Sequence, residues 1–341
     1  MDAPPVQYVK TSDGYSIAYA VQGEGMPLVV APAGFSHVQL NWKNRFFFPT
    51  RPSMFEVLAD RFRLVTFDCR GQGMSQRGIA PGEIAMSQFV MDLEAVVGAL
   101  QLKRFVLLGC AIGGHIAVQY ARAHPQSVAA LVLNGVPASM TAWPSGLFSI
   151  LSAQNWEYFL RSILAPGLSA EDTRLGIELM KETTTYSDYE AMWAVQSASD
   201  VSDVLPQLDV PSLVIQAREF NVLPLTEIQR LAALIPGARM VTVDGQGSFG
   251  DVDQAMRAIE TFLANLPAER EAGWSPLNSG LSQREVEVLR LLASGRSNQQ
   301  IADELVISVN TVIRHVSNVF GKTGVANRAQ AAIYARDHGI A

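Results

Sequence analysis

The residues best placed to do chemistry lie in LLGCAIGGH, Leu107 to His115. An apolar run, a glycine-flanked turn and a helical pattern follow one another, the setting that lifts a nucleophilic hydroxyl clear of a sheet in the pattern G-x-S-x-G. Here the frame is Gly109, Cys110, Ala111, Ile112, Gly113, so a methyl group stands where the hydroxyl belongs. Acyl transfer also needs an imidazole within reach of the nucleophile and an acid to orient it. The five histidines are His37, His115, His124, His315 and His338, so none falls between 125 and 314. Cys110 adjoins the apex, but one step along a sharp turn points a side chain away, and a reactive thiolate needs a base or cation beside it. His115 follows Ala111 by one helical turn and faces either the cleft or the sheet; burial is the favoured reading. Glu219 offers a carboxylate with no imidazole to orient.

The elements that must position these residues alternate. PLVVAPAG, FRLVTFDCRG, RFVLLGCA, VAALVLNG, PSLVIQAR and ARMVTVDG are short apolar runs, most closed by turn residues, and YSIAYAVQG reads as a hairpin strand. MSQFVMDLEAVVGALQ and IGGHIAVQYARAHP carry helical patterns between them. This alternation predicts an α/β fold, a mainly parallel sheet with helices on both faces. From about 138 to 209 it lapses into a helical, aromatic insertion holding Trp143, Phe148, Trp156, Tyr158, Phe159, Tyr186, Tyr189 and Trp193. The polar, Pro/Gly-dotted stretch 266–279 reads as a linker, which divides the chain into domains at 1–265 and 280–341.

Bulk properties agree with two globular domains. The chain has 341 residues, 48% hydrophobic and 17% charged, and no apolar run long enough to span a bilayer. Its start, MDAPPVQYVKTSDG, lacks the basic and apolar segments of a signal peptide. Cys69 and Cys110 have no metal-ligand spacing, so reduced thiols and a cytoplasmic setting are expected, with no metal and no cofactor. The net charge of −6 is uneven: residues from Gly280 on carry seven Lys/Arg against five acids, or +2, leaving −8 for the rest. Only the small domain is suited to meet a polyanion.

That domain holds the densest motifs. Ser282 with Glu285 and Ser297 with Gln300 are capping boxes, and Ser308 caps a third helix running to about Lys322. Two short helices joined through ELVIS make a helix-turn-helix. On the third helix Val309, Val312, Val316, Val319 and Phe320 form an apolar stripe. Asn310, Arg314, Ser317 and Gly321 form a polar one, flanked by Thr311, His315, Asn318 and Lys322.

With LSQREVEVLRLLASGRSNQQIA, ISVNTVIRHVSNVFGKTGV and NRAQA, residues 280–340 resemble the LuxR-type DNA-binding domain. The resemblance assigns Asn310, Ile313, Arg314 and Ser317 to bases, and Thr311, His315, Asn318, Lys322 and Arg328 to phosphates or to bracing. It also makes the last helix, around 329–338, a dimer contact. Ile313 stands where the family has Lys or Arg; it either touches a thymine methyl or extends the core edge.

Residues 6–263 resemble the α/β-hydrolases. The resemblance rests on the elbow, on FDCRGQGMS (Phe67–Ser75), on VVAPAGFSHVQLNW as the oxyanion loop, on PSLVIQAREFNVLP as the acid loop and on VTVDGQGSFG as the histidine loop. By position the nucleophile is replaced by Ala111, the acid by Phe220 and the histidine by Ser248, which implies a pseudo-hydrolase. The cleft would be lined by Gly34, Phe35, Ala111, Ile112, Phe220, Ser248 and Phe249, with the Phe35 and Ile112 N–H groups aimed at an oxygen. The expectation is a ligand-responsive regulator, binding a double-stranded DNA operator as a homodimer away from any membrane and sensing a small, mostly apolar effector. The alternative is an active hydrolase with an unconventional nucleophile fused to a DNA-binding domain.

Overall fold

The computed structural model describes residues 3–43, 54–79, 84–142, 155–164, 170–219, 223–245, 249–266, 281, 283–323, 325, 327–337 and 340. Phe220 and Ser248, the acid and histidine positions, lie outside the described residues, as do Trp143, Phe148, Ser282 and the stretch 267–280. The chain divides into two compact units, one holding nearly all residues up to Leu266 and the other built from those after it.

The larger unit is organised on eight strands: β1 (Val6–Lys10), β2 (Ser16–Gln22), β3 (Pro27–Ala31), β4 (Arg63–Phe67), β5 (Phe105–Cys110), β6 (Val128–Asn134), β7 (Ser212–Ala217) and β8 (Arg239–Val243). They lie in the order β1-β2-β4-β3-β5-β6-β7-β8. β2 pairs antiparallel with β1 and with β4, whereas β3, β5, β6, β7 and β8 run parallel, with a register shift at Phe105/Val106 between β5 and β6. Strands covered on both faces are near-continuous apolar runs, and every residue of VAALVLN in β6 and SLVIQA in β7 is buried, the polar Asn134, Ser212 and Gln216 included.

Helices α1 (Leu40–Lys43) and α2 (Met54–Ala59) follow β3, α3 (Met86–Ala99) precedes β5, and α4 (Ile112–Ala123) leaves the elbow. Between β6 and β7 come α5 (Trp156–Leu164), α6 (Ala170–Thr183) and α7 (Tyr186–Ser197), the expected helical insertion. Its Phe159, Leu160, Ile177, Met180, Tyr189 and Met192 belong to the same buried cluster as Phe67, Phe89 and Leu107 beneath the sheet. Helices α8 (Leu225–Leu234) and α9 (Val252–Ala264) complete the unit. The smaller unit is four helices, α10 (Gln283–Ala293), α11 (Asn298–Leu305), α12 (Val309–Thr323) and α13 (Arg328–Asp337), around Val288, Leu289, Ile301, Val312, Val319, Ala331 and Ala335.

Caps fall where the sequence places them. Ser297 accepts from the Gln300 N–H while Gln300 Oε1 accepts from the Ser297 N–H, and Ser308 Oγ accepts from the Thr311 N–H. Ser282, the other half of the first capping box, lies outside the described residues; Glu285 reaches Lys322 Nζ at 2.8 Å. The turn after α11 is closed by Val306 at φ 54°, a left-handed conformation that a β-branched side chain resists. Val306 is 89% exposed, so no packing is lost by removing it. Val306→Gly is therefore expected to stabilise the four-helix unit by about 1 kcal/mol, read as a higher midpoint in thermal or urea unfolding.

Candidate functional site: a glycine-framed elbow and a recognition helix

At the elbow the chain turns from β5 into α4 through Ala111, whose φ of 47° and ψ of −122° place a non-glycine residue in strained backbone. Glycines make this geometry possible by close approach. A Cβ on Gly109 would lie 2.6 Å from the Gly114 Cα, one on Gly113 2.4 Å from the Ala31 carbonyl oxygen, and one on Gly114 2.3 Å from Val136. Helix α4 consequently starts hard against β3 and β6. Its first N–H, that of Ile112, meets no acceptor among the described residues, nor does the N–H of Phe35. The positive end of α4 adds to those donors.

The side chains nearest this turn are chemically quiet. Burial pushes the Cys110 thiol up to about 12, outweighing the weak approach of Asn134 Nδ2 at 4.0 Å, so the sulfur stays protonated at neutral pH. His115 is fully buried, its Nε2 2.9 Å from the Pro137 carbonyl and its Nδ1 2.8 Å from Ser199 Oγ. The carbonyl only accepts, so Nε2 carries the hydrogen and Nδ1 accepts from the serine. Burial lowers its basicity, and the ring ties Pro137 to Ser199 on the insertion. Glu219 is exposed. His37 Nδ1 accepts from the Gln39 and Leu40 N–H groups at 3.3 and 3.2 Å.

The loop FDCRGQGMS holds the walls together, a role its sequence does not announce. Asp68, fully buried, accepts from Ser36 Oγ at 2.8 Å, the Val38 N–H at 3.1 Å and the Met74 N–H at 2.9 Å. Burial raises its pKa against those hydrogen bonds. A Cβ at Gly73 would sit 2.0 Å from that carboxylate. Arg70, equally buried, donates to Asp92 through Nε and Nη2 at 2.9 and 2.7 Å, donates to Asp13 through Nη1 at 2.6 Å, and covers the Tyr15 ring. Burial pushes Asp92 up to about 6 against the pull of Arg70.

The same loop reaches the insertion. The Gly73 N–H donates to the Thr183 carbonyl at 2.6 Å, Thr184 Oγ1 to the Gly71 carbonyl at 3.0 Å, and Arg77 to the Glu182 carbonyl. Asp188 Oδ1 accepts from the Gly78 and Ile79 N–H groups, both at 2.9 Å. Phe35 stacks on Tyr189 at 4.6 Å, and Trp156, Phe159 and Trp193 surround that tyrosine at 5.3, 5.7 and 6.4 Å. Of the expected cleft residues, Gly34 is half-buried with its carbonyl accepting from Gln72 Nε2. Phe35, Ile112 and Phe249 are buried, and Ala111 is half-buried.

On α12, Val312 and Val319 are buried and Val309, Val316 and Phe320 partly so, which matches the apolar stripe. Asn310, Arg314, Ser317, Asn318 and Gly321 are exposed; Thr311 and His315 are half-buried. Ile313 is 50% exposed, so it does not extend the core. The basic residues divide sharply. Arg284 donates to Glu287 and the Leu305 carbonyl, Arg290 to the Ile340 carbonyl and Arg328 to the Arg296 carbonyl; Arg296 lies 3.7 Å from Glu304, and Lys322 holds buried Glu285. Arg336 also has a partner. Among the described residues of this unit, Arg314 is the lysine or arginine with no intramolecular partner, and the buried Nδ1 of His315 has none either.

The comparisons with known proteins agree with this geometry. Residues 279–335 match the family of bacterial regulatory proteins of the LuxR type, and residues 27–194 match the α/β hydrolase fold. The chain is 48% identical over 60 residues to response regulator protein VraR of Staphylococcus aureus, covering 18% of this chain and 29% of that one. It is 26% identical over 231 residues to a pimeloyl-[acyl-carrier protein] methyl ester esterase of Xanthomonas axonopodis pv. citri, covering 62% and 88%. The crystal structure of the esterase RhEst1 from Rhodococcus sp. ECU1013 superposes with a TM-score of 0.63 at 22% identity, over 77% of this chain and 99% of that one, a likeness of fold. The protein is thus a two-part chain, an α/β-hydrolase-fold domain followed by a LuxR-type helix-turn-helix domain. It is a LuxR-type DNA-binding regulator fused to a hydrolase fold.

The charge pairing separates two kinds of basic residue. Arg314→Ala should reduce the slope of log K against log salt by about 0.9, the loss of one cation from the duplex. Lys322→Ala should change that slope less and instead lower the unfolding free energy by about 1–2 kcal/mol, because buried Glu285 loses its counter-charge. Equal slope changes for the two variants would place Lys322 on phosphate.

Proposed function

We propose that the chain is a ligand-responsive transcriptional regulator whose hydrolase-fold domain, residues 1–265, binds without catalysing. The linker at 266–279 then joins it to a DNA-binding domain at 280–341 that works as a homodimer in the cytoplasm. The observation that carries this reading is that the N–H groups of Phe35 and Ile112 meet no acceptor among the described residues, while the elbow apex holds the methyl of Ala111. Donors arranged for an oxygen persist where the nucleophile does not. With Phe220 and Ser248 at the acid and histidine positions, no imidazole–carboxylate pair supports a nucleophile. A small, mostly apolar molecule bearing a carbonyl, ester or carboxylate oxygen suits the site: oxygen to the two N–H groups, apolar body toward Ala111, Phe249 and the insertion.

The ester-cleaving relatives supply the scaffold's ancestry for this reading, and the active-hydrolase alternative asks for a nucleophile that a thiol pushed up to about 12 does not provide. Ligand binding acts on DNA only through a difference in affinity between two arrangements of the dimer; a tenfold change in operator affinity needs about 1.4 kcal/mol of that difference.

Two results are expected. Neither the natural chain nor Ala111→Ser should hydrolyse p-nitrophenyl butyrate above the buffer rate; sustained turnover by either would replace the sensor with an enzyme. Mass spectrometry of an organic extract of the purified protein should find a stoichiometric carbonyl-bearing molecule, and adding it back to stripped protein should shift operator affinity. Operator affinity indifferent to that molecule would remove the sensing function and leave the DNA-binding one standing.

A further inference from the structure

We infer that Ile313 is a sequence-reading residue, and that what it reads is the 5-methyl group of thymine in the major groove. The inference rests on the DNA-binding reading of α12 and goes beyond it by naming a base and the group that selects it. Three observations combine. Ile313 is one of few large apolar side chains left half exposed in the four-helix unit, although buried Val312 sits beside it in the chain. It borders the polar stripe, three residues after Asn310 and four before Ser317, next to Arg314. And the side chains of Asn310, Arg314 and Ser317 make no intramolecular hydrogen bond among the described residues, so this surface offers an unmet cation, an unmet amide and an unmet hydroxyl around one apolar patch.

The occupant follows from what each group needs. An apolar protein surface that covered Ile313 would also bury the Arg314 guanidinium and the Asn310 amide without partners, a heavy desolvation cost. A duplex serves all four at once. Guanine O6 and N7 or a phosphate take Arg314, adenine N6 and N7 take Asn310, and the thymine methyl is the one apolar group that base edges display in the groove. An adenine read by Asn310 already carries a thymine on the opposite strand. Ile313 thus adds selectivity without a positive charge.

The test is selection of a random-sequence duplex library by the full-length chain at low salt, followed by replacing each thymine of the enriched site with deoxyuridine. The two bases pair alike and differ by the methyl alone. At one thymine per half-site the replacement should weaken binding about fourfold, the burial of one methyl group, and the other thymines should be indifferent. Ile313→Ala should enrich sites without preference at that position and should bind thymine and deoxyuridine equally, with its unfolding midpoint unchanged because half the side chain is already in water. Deoxyuridine tolerated at every position, or a thymine preference that survives Ile313→Ala, would overturn the inference and leave DNA binding intact. A library that yields no enriched sequence would overturn the DNA-binding reading itself, and this inference with it.

Discussion

A steric constraint organises the larger domain: the glycines at 109, 113 and 114 let a helix begin closer to two strands than any side chain allows. A Cβ on any of the three would approach a neighbouring atom to between 2.3 and 2.6 Å. The turn between them must then pass through a positive φ, and it does so at an alanine, which gains nothing from that conformation. Strained backbone persists when its surroundings over-determine it. Here they do, because β3, β5 and β6 fix the position of α4 regardless of what the apex side chain is for. The geometry of the elbow is therefore held by its glycines and strands, whatever side chain stands at the apex.

Around that turn the segment carrying Phe35 and the helical insertion are tied together through a single loop. Asp68 ties the loop to the segment carrying Phe35, Arg70 anchors it between Asp92 and Asp13, and its glycine-rich end is stitched to the insertion at Thr183, Thr184 and Asp188. Phe35 closes the circuit by stacking on Tyr189 of the insertion. A molecule that moved Phe35 would therefore load both the loop and α7. Buried, hydrogen-bonded charges of this kind specify one arrangement at the cost of desolvation, and Asp92, pushed up to about 6, carries part of that cost. In the proposed sensor this rigidity is an advantage, because a ligand can bias only states that are discretely different.

Much of this was legible in the sequence, and what was not has physical reasons. Apolar runs without alternation disclosed the buried strands β3 to β7, and glycine spacing disclosed the elbow. β1 escaped notice because an exposed edge strand such as VQYVK has no apolar face to repeat. The four-helix unit was readable from its caps and stripes. Pairings across the fold were not: nothing in the spacing of the sequence says that the Glu285 carboxylate meets Lys322, 37 residues away. Nor does FDCRGQGMS reveal that Asp68 and Arg70 serve the walls, since an acid and a base two residues apart look equally suited to catalysis. The acid and histidine positions, Phe220 and Ser248, rest on the sequence alone.

The pairing in the small domain bears on how a duplex is recognised. Its formal charge of +2 already predicts weak attraction to a polyanion. The basic groups that remain are mostly spent inside the domain: Arg284, Arg290 and Arg328 on backbone carbonyls, Arg296 and Lys322 on acids. A domain in which Arg314 is the one lysine or arginine without a partner among the described residues gains little, in the proposed complex, from phosphate contacts that are blind to sequence. In the proposed complex, discrimination comes from base edges met by the exposed Asn310, Ile313, Arg314 and Ser317, and affinity from the proposed homodimer engaging two half-sites together. Two weak, selective contacts joined in one dimer respond steeply to the spacing between them, because misplacing one forfeits the effective concentration the other supplies. In the proposed sensor, a change of dimer geometry driven by a ligand in the hydrolase-fold domain would act on that spacing.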